Sequence, residues 1–135
     1  GADSGVHPFA FAAFEQAGLL SASSPLVPAE GAAVVLLEER DAALARGARV
    51  LGEVGDHALN EGPRLRALSA SAPRAPAGRL ERHAGNLLAA HAPAALVLAL
   101  AEGLSGPVAA LAEGPAGEAS ALLVLPPGRA ERSAA

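Results

Sequence analysis

Polar side chains that could take part in catalysis or metal binding are few and widely spaced in this sequence. The four histidines are His7, His57, His83 and His91. His83 and His91 are eight residues apart, about two turns of a helix, so a single helix would place both on roughly one face. Zinc sites on helices use a four-residue spacing and a third ligand. We therefore expect no metal site and interpret these histidines as surface or capping residues.

Other candidate groups also lack the companions that their chemistry requires. Asp3, Ser4 and His7 lie close together after a predicted strand, where sites of α/β proteins often form. No Gly-x-Ser-x-Gly motif surrounds Ser4, so a hydrolase triad is not predicted. Residues 38–41 carry three carboxylates and are interpreted as a solvated helix start, where negative charge favours the positive end of the helix dipole. Neither a Walker loop nor Gly-x-Gly-x-x-Gly is present, so no cofactor is predicted.

Composition and charge narrow the class of protein. The 135 residues suffice for one domain, and with 51% hydrophobic but only 2% aromatic residues the core is expected to consist of Ala, Leu and Val. A net charge of −4 with dispersed Arg argues against a nucleic-acid partner. The absence of Cys excludes disulfides and thiolate metal sites.

Cellular location is predicted from the apolar segments. The longest apolar run, 87–101, has 15 residues and is shorter than the about 20 that a bilayer span needs. We therefore expect a cytoplasmic protein with no membrane partner. The sequence does not begin with Met and has no secretion signal, so Gly1 is expected to be an internal point of a longer gene product or a processed end.

Hydrophobic periodicity and helix-stop signals predict the elements that must position these groups. The first predicted helix is 9–17, after Pro8; it has Phe11 and Phe14 on its buried face and stops at Gly18. The second is 39–46, ended by Gly47, and a third lies between Asn60 and Ser71, starting after Pro63. The fourth is 79–101, in which Pro93 either produces a kink or marks a late start. The predicted strands are 32–37, 50–54, 107–112 and 119–125.

The arrangement of these elements predicts an α/β fold. A strand, a helix and a second strand are predicted over 32–54, an order typical of α/β folds. Because the connecting helix is short, the two strands could instead be antiparallel neighbours. The continuous apolar run 32–37 predicts a strand buried on both faces. The helix 79–101, apolar on every side after Asn86, is expected to be covered all round. The domain is predicted to span 1–126, with an internal linker at 72–78 and a disordered tail at 127–135.

Four segments resemble, in the same order, segments of the β-ketoacyl synthases. Together they cover about three quarters of the chain. They are Gly1-Ala2-Asp3-Ser4-Gly5 with Pro8 and Ala12-Ala13-Phe14; Glu30 to Glu38, continued by Ala43 to Arg49; Ala84-Gly85-Asn86-Leu87-Leu88-Ala89-Ala90; and the closing strand pair around Gly114 to Gly117. The resemblance implies a thiolase-like layered fold in reduced or partial form, because a segment between the two halves of a full synthase is missing around 54–78.

The same resemblance implies that the catalytic residues are absent. The family uses a Cys nucleophile and two His residues, and this chain has no Cys. Asn86 lies at the position of one family His, and Asn cannot exchange a proton near neutral pH. The His-Gly-Thr-Gly-Thr motif that carries the other His is missing, with Gly55-Asp56 a weak match to its end. No catalytic residue is therefore assigned.

The function expected from this resemblance is that of a non-catalytic, chain-length-factor-type subunit. It would pair with an active condensing enzyme in fatty-acid or polyketide biosynthesis, and the resemblance allows an acyl carrier protein as a further partner. One alternative is a fragment of an active 3-oxoacyl-carrier-protein synthase whose Cys lies outside this sequence. A second alternative is an unrelated Ala-rich α/β interaction module.

Overall fold

The computed structural model describes residues 1–4, 6–20, 26–60, 62–113 and 119–128. These residues form a small mixed α/β domain with two separate antiparallel sheets. In chain order the elements are β1 (Ala2–Asp3), α1 (Pro8–Gln16), β2 (Gly31–Ala32), α2 (Arg40–Ala45), β3 (Glu53–Leu59), α3 (Gly62–Ser71), α4 (Ala77–Ala84), a 3-10 helix (Leu88–Ala90), α5 (His91–Glu102), β4 (Val108–Glu113) and β5 (Ala119–Leu125).

The larger sheet has three antiparallel strands in the order β3-β5-β4. Its β4–β5 pair confirms the two strands predicted near the end of the sequence, while the predicted turn at 114–117 lies outside the described residues. The strand predicted at 50–54 begins later, because β3 runs from Glu53 to Leu59. A bulge at Gly55 shifts the register between β3 and β5. A side chain at Gly55 would collide with Leu125, so the bulge depends on glycine.

The core beneath this sheet consists of small and branched side chains, as the composition predicts. Ala58 of β3, Leu68 of α3 and Ala121 of β5 form its buried centre. Leu65, Leu111 and Leu123 pack around them, so α3 covers one face of the sheet. Every buried hydrophobic residue in the described part of the chain is Ala, Leu or Val. The predicted helix before Ser71 is confirmed as α3, although it begins at Gly62 rather than after Pro63.

The predicted single helix over 79–101 is wrong, because the chain turns between α4 and α5. The break occurs at Gly85, whose φ of +79° only glycine adopts readily, and not at Pro93. Pro93 lies in the first turn of α5, where its missing N–H is tolerated, so the alternative prediction of a late helix start near Pro93 agrees with the start at His91. Helix α5 buries one face and leaves Val97 exposed, so it is not covered all round.

The predicted buried strand over 32–37 is also wrong. Strand β2 contains only Gly31–Ala32 and pairs with β1, and the next bond runs from the Ala33 N–H to the Gly1 carbonyl at 2.8 Å. Among the described residues, no backbone group of 34–37 makes a hydrogen bond. Val34, Leu36 and Leu37 are 86%, 81% and 70% exposed. The apolar run fails to form a buried strand because no second strand lies beside it. The strands predicted on either side of α2 therefore belong to different sheets.

The two predicted N-terminal helices are confirmed, but α1 is not buried as expected. Helix α1 begins at Pro8 and ends before Gly18, which has a φ of +72°. None of its residues is buried, and Phe9 is 81% exposed, so the predicted buried face with Phe11 and Phe14 is wrong. Helix α2 begins after Glu39, which caps it, and the stop at Gly47 is as predicted, with a φ of +74°.

Segments expected to be irregular make specific contacts with the sheet. Ala75 lies beside β4, donating its N–H to the Ala109 carbonyl, and the Ala109 N–H bonds to Pro73. Helix α4 begins at Ala77, inside the predicted linker. After β5, the Gly128 N–H bonds to Glu53 at 2.9 Å. Residues 129–135 of the predicted disordered tail lie outside the described residues.

Candidate functional site

Three of the four segments that resemble ketosynthase sequences meet at one place in the structure. We call this place the Asn86 junction and define it as residues 1–3, 27–33 and 85–91. Strand β1 pairs with β2, and an isolated parallel bridge joins Pro28 to Asn86. The meeting of segments far apart in the sequence is a feature of the structure that no single motif could have indicated. It makes this junction the natural candidate for a functional site.

Three polar groups of Asn86 bond to the backbone of the junction. Its N–H donates to the Val27 carbonyl at 2.7 Å, and its own carbonyl accepts from the Ala29 N–H at 2.8 Å. These two bonds hold the segment after α4 against residues 27–29, which precede β2. The side-chain Oδ1 accepts from the Leu88 N–H at 2.8 Å, within its own segment. At the position where the resemblance places a catalytic His, the side-chain oxygen therefore has a structural role.

The backbone around Asn86 is bent into conformations that few residues tolerate. Gly85 has φ +79° and ψ −171°, and a Cβ there would come within 2.8 Å of the Val27 carbonyl oxygen. Leu88 has φ +49°, a left-handed conformation unusual for a residue with a side chain. The Oδ1 of Asn86 compensates by accepting the Leu88 N–H. Gly85 and Asn86 together produce the turn that brings α5 to the junction.

Close contacts surround Gly1 and Gly31 of the junction. A Cβ at Gly31 would lie 3.1 Å from the Leu87 side chain, and one at Gly1 would lie 2.6 Å from the Ala89 carbonyl oxygen. The Gly1 amino group also donates to the Ala33 carbonyl at 2.9 Å. The contact with the Ala89 backbone leaves no space for a side chain at Gly1, where the chain passes the 3-10 helix.

His91, which the sequence led us to interpret as a surface or capping residue, lies at this junction and is partly buried. Its Nδ1 accepts from the Leu87 N–H at 3.3 Å, so a neutral ring would carry its proton on Nε2. No carboxylate of the described residues is hydrogen-bonded to it. A histidine without an orienting acid or an adjacent nucleophile lacks the partners of a catalytic dyad. The sequence signal that could have placed His91 at the junction is its position directly after segment 84–90, which resembles the family.

The other predicted groups are not brought together into a site. His7 caps α1, with Nδ1 accepting from the Phe9 N–H at 3.3 Å, and it makes no hydrogen bond with Asp3 or Ser4. His83 and His91 lie in different helices, so the shared helical face assumed for them does not exist. Among the described residues, no three metal-binding side chains cluster. Within the same residues, no helix combines the length and the apolar character that crossing a bilayer requires.

The acidic residues with altered pKa values take part in surface ion pairs and a helix cap. Bonds from the Arg46 guanidinium, between 2.6 and 3.1 Å, lower the pKa of Glu38. Backbone N–H groups of Asp41 and Ala42 lower the pKa of Glu39. These carboxylates are exposed, and their shifts follow from local structure and not from a site.

Asp56 of β3 belongs to the same group of altered carboxylates. An ion pair with Arg64 of α3 and a bond from the His57 N–H lower the pKa of Asp56. The sequence suggested that Gly55-Asp56 is the end of a His-containing motif. In the structure Gly55 is a strand bulge and Asp56 forms an ion pair. Both residues lie in a different sheet from the strands of the Asn86 junction.

One small cavity lies away from the junction, between α5 and β4. Its volume is about 90 Å³, and its walls are mainly alanine side chains, with Arg74 and Glu113 among the lining residues. This is below the roughly 300 Å³ at which pockets for small-molecule ligands begin. The described residues thus show a closely packed junction and, apart from it, a cavity too small for a typical small-molecule ligand.

Comparison with known proteins identifies no relative, because no family model, curated protein or solved structure matches the chain.

Proposed function

We propose that this chain is a non-catalytic, ketosynthase-like subunit that pairs with an active condensing enzyme. The observation that supports it most is the Asn86 junction. Segments that resemble the family meet there around an Asn whose side-chain oxygen is bonded to the backbone. The proposal includes a reduced thiolase-like fold, a cytoplasmic location and a role of the chain-length-factor type in fatty-acid or polyketide biosynthesis.

Loss of catalysis follows from the chemistry of the side chains present. Condensation in this family needs a thiolate to carry the acyl group, and the sequence contains no Cys. The amide of Asn86 cannot transfer a proton near neutral pH. His91, the nearest titratable ring, has one nitrogen bonded to the Leu87 N–H. A scaffolding role requires none of these groups.

The apolar surface supports a role in pairing. Val34, Leu36 and Leu37 form a run of exposed large hydrophobic side chains. Exposed apolar surface of this kind often marks a site of association. A partner that covers residues 34–37 would remove these side chains from water.

The proposal is tested by co-expressing the full chain with a β-ketoacyl synthase from the same organism. Light scattering after size-exclusion chromatography should show a complex heavier than the synthase alone by one or more 13.2 kDa subunits. The chain alone should not decarboxylate a malonyl thioester, and Asn86→His should not confer that activity. Recovery of a well-folded chain that stays monomeric in the presence of the synthase would contradict the proposal.

A further inference from the structure

We propose that the small cavity between α5 and β4 binds a free α-amino acid with a short aliphatic side chain. The side chain of the ligand lies in the cavity, and its ammonium and carboxylate groups bond to the open edge of β4 at Leu111. The cavity lies away from the Asn86 junction, and binding there does not depend on pairing with a condensing enzyme. The backbone groups, the charges and the size of the cavity select this class of ligand.

The outer edge of β4 is paired over only part of its length. The Ala75 N–H donates to the Ala109 carbonyl at 2.8 Å, and the Ala109 N–H donates to the Pro73 carbonyl at 2.9 Å. Every second residue of a strand directs its N–H and C=O to the same neighbour, so the next groups on this edge belong to Leu111. Within the described residues neither group of Leu111 has a hydrogen-bond partner, and Leu111 lines the cavity. The chain leaves this edge after Ala75, because α4 begins at Ala77.

A free α-amino acid carries the two groups that the edge at Leu111 lacks. Opposite residues of an antiparallel pair can exchange two bonds, each donating its N–H to the carbonyl of the other. The carboxylate of the ligand can accept from the Leu111 N–H while its ammonium donates to the Leu111 carbonyl. Both ligand groups are attached to one carbon, as the N–H and C=O of a strand residue are, so one small molecule can make both bonds.

The charges at the cavity follow the order along β4 that a bound amino acid requires. Arg74 forms a bridge with Ala109, which lies on the side of the Leu111 N–H, whereas Glu113 lies on the side of the Leu111 carbonyl. The guanidinium can therefore pair with the carboxylate of the ligand, and the Glu113 carboxylate with its ammonium. Both side chains line the cavity, and within the described residues neither makes a hydrogen bond or an ion pair.

Opposite charges at one cavity favour a zwitterion over a ligand with a single charge. A simple carboxylate would be repelled by Glu113, and a simple amine would be repelled by Arg74. Both residues are exposed, so the charged groups of the ligand remain in contact with water. Only the aliphatic part of the ligand has to leave water.

The volume of the cavity limits the side chain of the ligand. Most of the lining residues are alanines, and Ala95 and Ala109 are only 1% and 0% exposed. Because an apolar cavity of about 150 Å³ holds benzene, the volume of about 90 Å³ is enough for roughly four carbon atoms. The Cα and side chain of valine match this size, whereas the side chain of phenylalanine exceeds it.

A titration of the full chain with L-valine, followed by amide NMR spectra, tests the site. Saturable shifts are expected at Leu111 and Glu113, and hydrogen exchange of the Leu111 N–H should slow at least about tenfold at saturation. Isovalerate lacks the ammonium, isobutylamine lacks the carboxylate and L-phenylalanine is too large, so each should bind about tenfold more weakly. Equal binding of L-valine and either singly charged analogue, or no saturation up to about 100 mM L-valine, would overturn the proposal.

Variants without charge test the two residues that are expected to hold the ligand. Arg74→Gln and Glu113→Gln should each weaken L-valine binding about threefold or more, because each removes one charged partner at an exposed position. Arg82→Gln and Glu81→Gln are the matched controls, since these exposed residues of α4 do not line the cavity. Their affinity for L-valine should equal that of the unaltered chain.

The response of the singly charged analogues separates a binding role from a structural one. Glu113→Gln removes the repulsion of isovalerate, so this variant should bind isovalerate more tightly than the unaltered chain does while it binds L-valine more weakly. Local unfolding would weaken both ligands alike. A parallel loss of both ligands in Glu113→Gln, or equal L-valine affinities in all four variants, would show that these charges do not hold an amino acid.

Discussion

At the scale of single residues, Asn86 connects two segments of the junction through its hydrogen bonds. Its backbone N–H and C=O bond to Val27 and Ala29, and its side-chain Oδ1 accepts from the Leu88 N–H. A histidine at this position could also accept a hydrogen bond, but its ring is larger than an amide and the junction is closely packed. The side chain of Asn86 therefore has a structural role in this turn.

Asn86→Ala should destabilise the protein by about 1 kcal/mol, because the Leu88 N–H would lose its acceptor inside a bent segment. Asn86→Asp should cost less, since a carboxylate oxygen can accept the same bond. Urea unfolding followed by circular dichroism measures both values. Equal destabilisation by the two substitutions would show that the bond to Leu88 contributes nothing.

Gly85→Ala should destabilise the protein by about 1–3 kcal/mol, because the new Cβ would meet the Val27 carbonyl oxygen in a backbone conformation nearly confined to glycine. Gly47→Ala provides the matched control, since Gly47 has a similar φ of +74° and no atom within 4 Å of the added Cβ. It should cost about 1 kcal/mol. The comparison uses thermal unfolding of both variants. If Gly47→Ala were the more harmful, the close contact at Gly85 would have no energetic consequence.

At the scale of elements, the local signals for helix ends were reliable and the expectation of burial was not. Pro8, Gly18 and Gly47 mark the ends of α1 and α2 as expected, because capping and left-handed glycine depend on neighbours within one turn. The apolar run 32–37 was assigned to a buried strand because hydrophobicity alone cannot show whether a pairing strand exists. Gly85 follows the polar residues 81–83 and precedes Asn86, and it ended a helix that was predicted to continue through it.

Helix α2 should weaken in acid because its N-cap is a carboxylate. The N–H groups of Asp41 and Ala42 hold the pKa of Glu39 below its ordinary value of 4.5. A folded-state pKa below the unfolded one gives stability that is present above about pH 4.5 and lost as the pH falls through the folded value. Glu38 and Asp56 have lowered pKa values and add to the same trend.

The urea midpoint should therefore be constant near neutral pH and decrease as the solution is acidified below about pH 4.5. Glu39→Gln retains an acceptor oxygen but cannot titrate, so it should reduce the dependence on pH while keeping the helix. Midpoints measured for both proteins across this range provide the check. An unchanged acid slope in Glu39→Gln would mean that the cap does not respond to pH.

At the scale of the whole molecule, Glu53 connects parts of the chain that are distant in sequence. It is on β3, its side chain is only 9% exposed, and its Oε1 accepts from Arg40 at 3.2 Å and from the Gly128 N–H at 2.9 Å. The carboxylate thus links α2 and the turn after β5 to the sheet. Such a long-range contact could not be predicted from the sequence, because neither partner lies within a turn of Glu53.

Glu53→Gln should lower the free energy of unfolding by about 1–2 kcal/mol, because Arg40 would exchange its ion pair with a largely buried carboxylate for a bond to a neutral amide, keeping only longer contacts such as the one to Asp41 at 3.8 Å. The bond to Gly128 can survive, since the Gln amide oxygen is still an acceptor. Arg40→Met combined with Glu53→Gln should cost less than the sum of the two single changes. Denaturant unfolding of the three variants gives the coupling energy, and strict additivity would contradict the proposed link.

Composition correctly predicted a core of Ala, Leu and Val, because no other apolar residues are abundant enough to form one. The convergence of 1–3, 27–33 and 85–91 could not be predicted, since contacts between distant segments depend on the entire packed arrangement.

The strand order β3-β5-β4 has a consequence for synthesis of the protein on the ribosome. The middle strand of the sheet follows both of its neighbours in the sequence, and the bond from the Ala119 N–H to the Asn60 side chain spans 59 residues. During translation, β3 and β4 therefore leave the ribosome before the strand that joins them. Until β5 emerges, both keep unpaired edges, and the nascent chain is open to association with other polypeptides or to capture by chaperones.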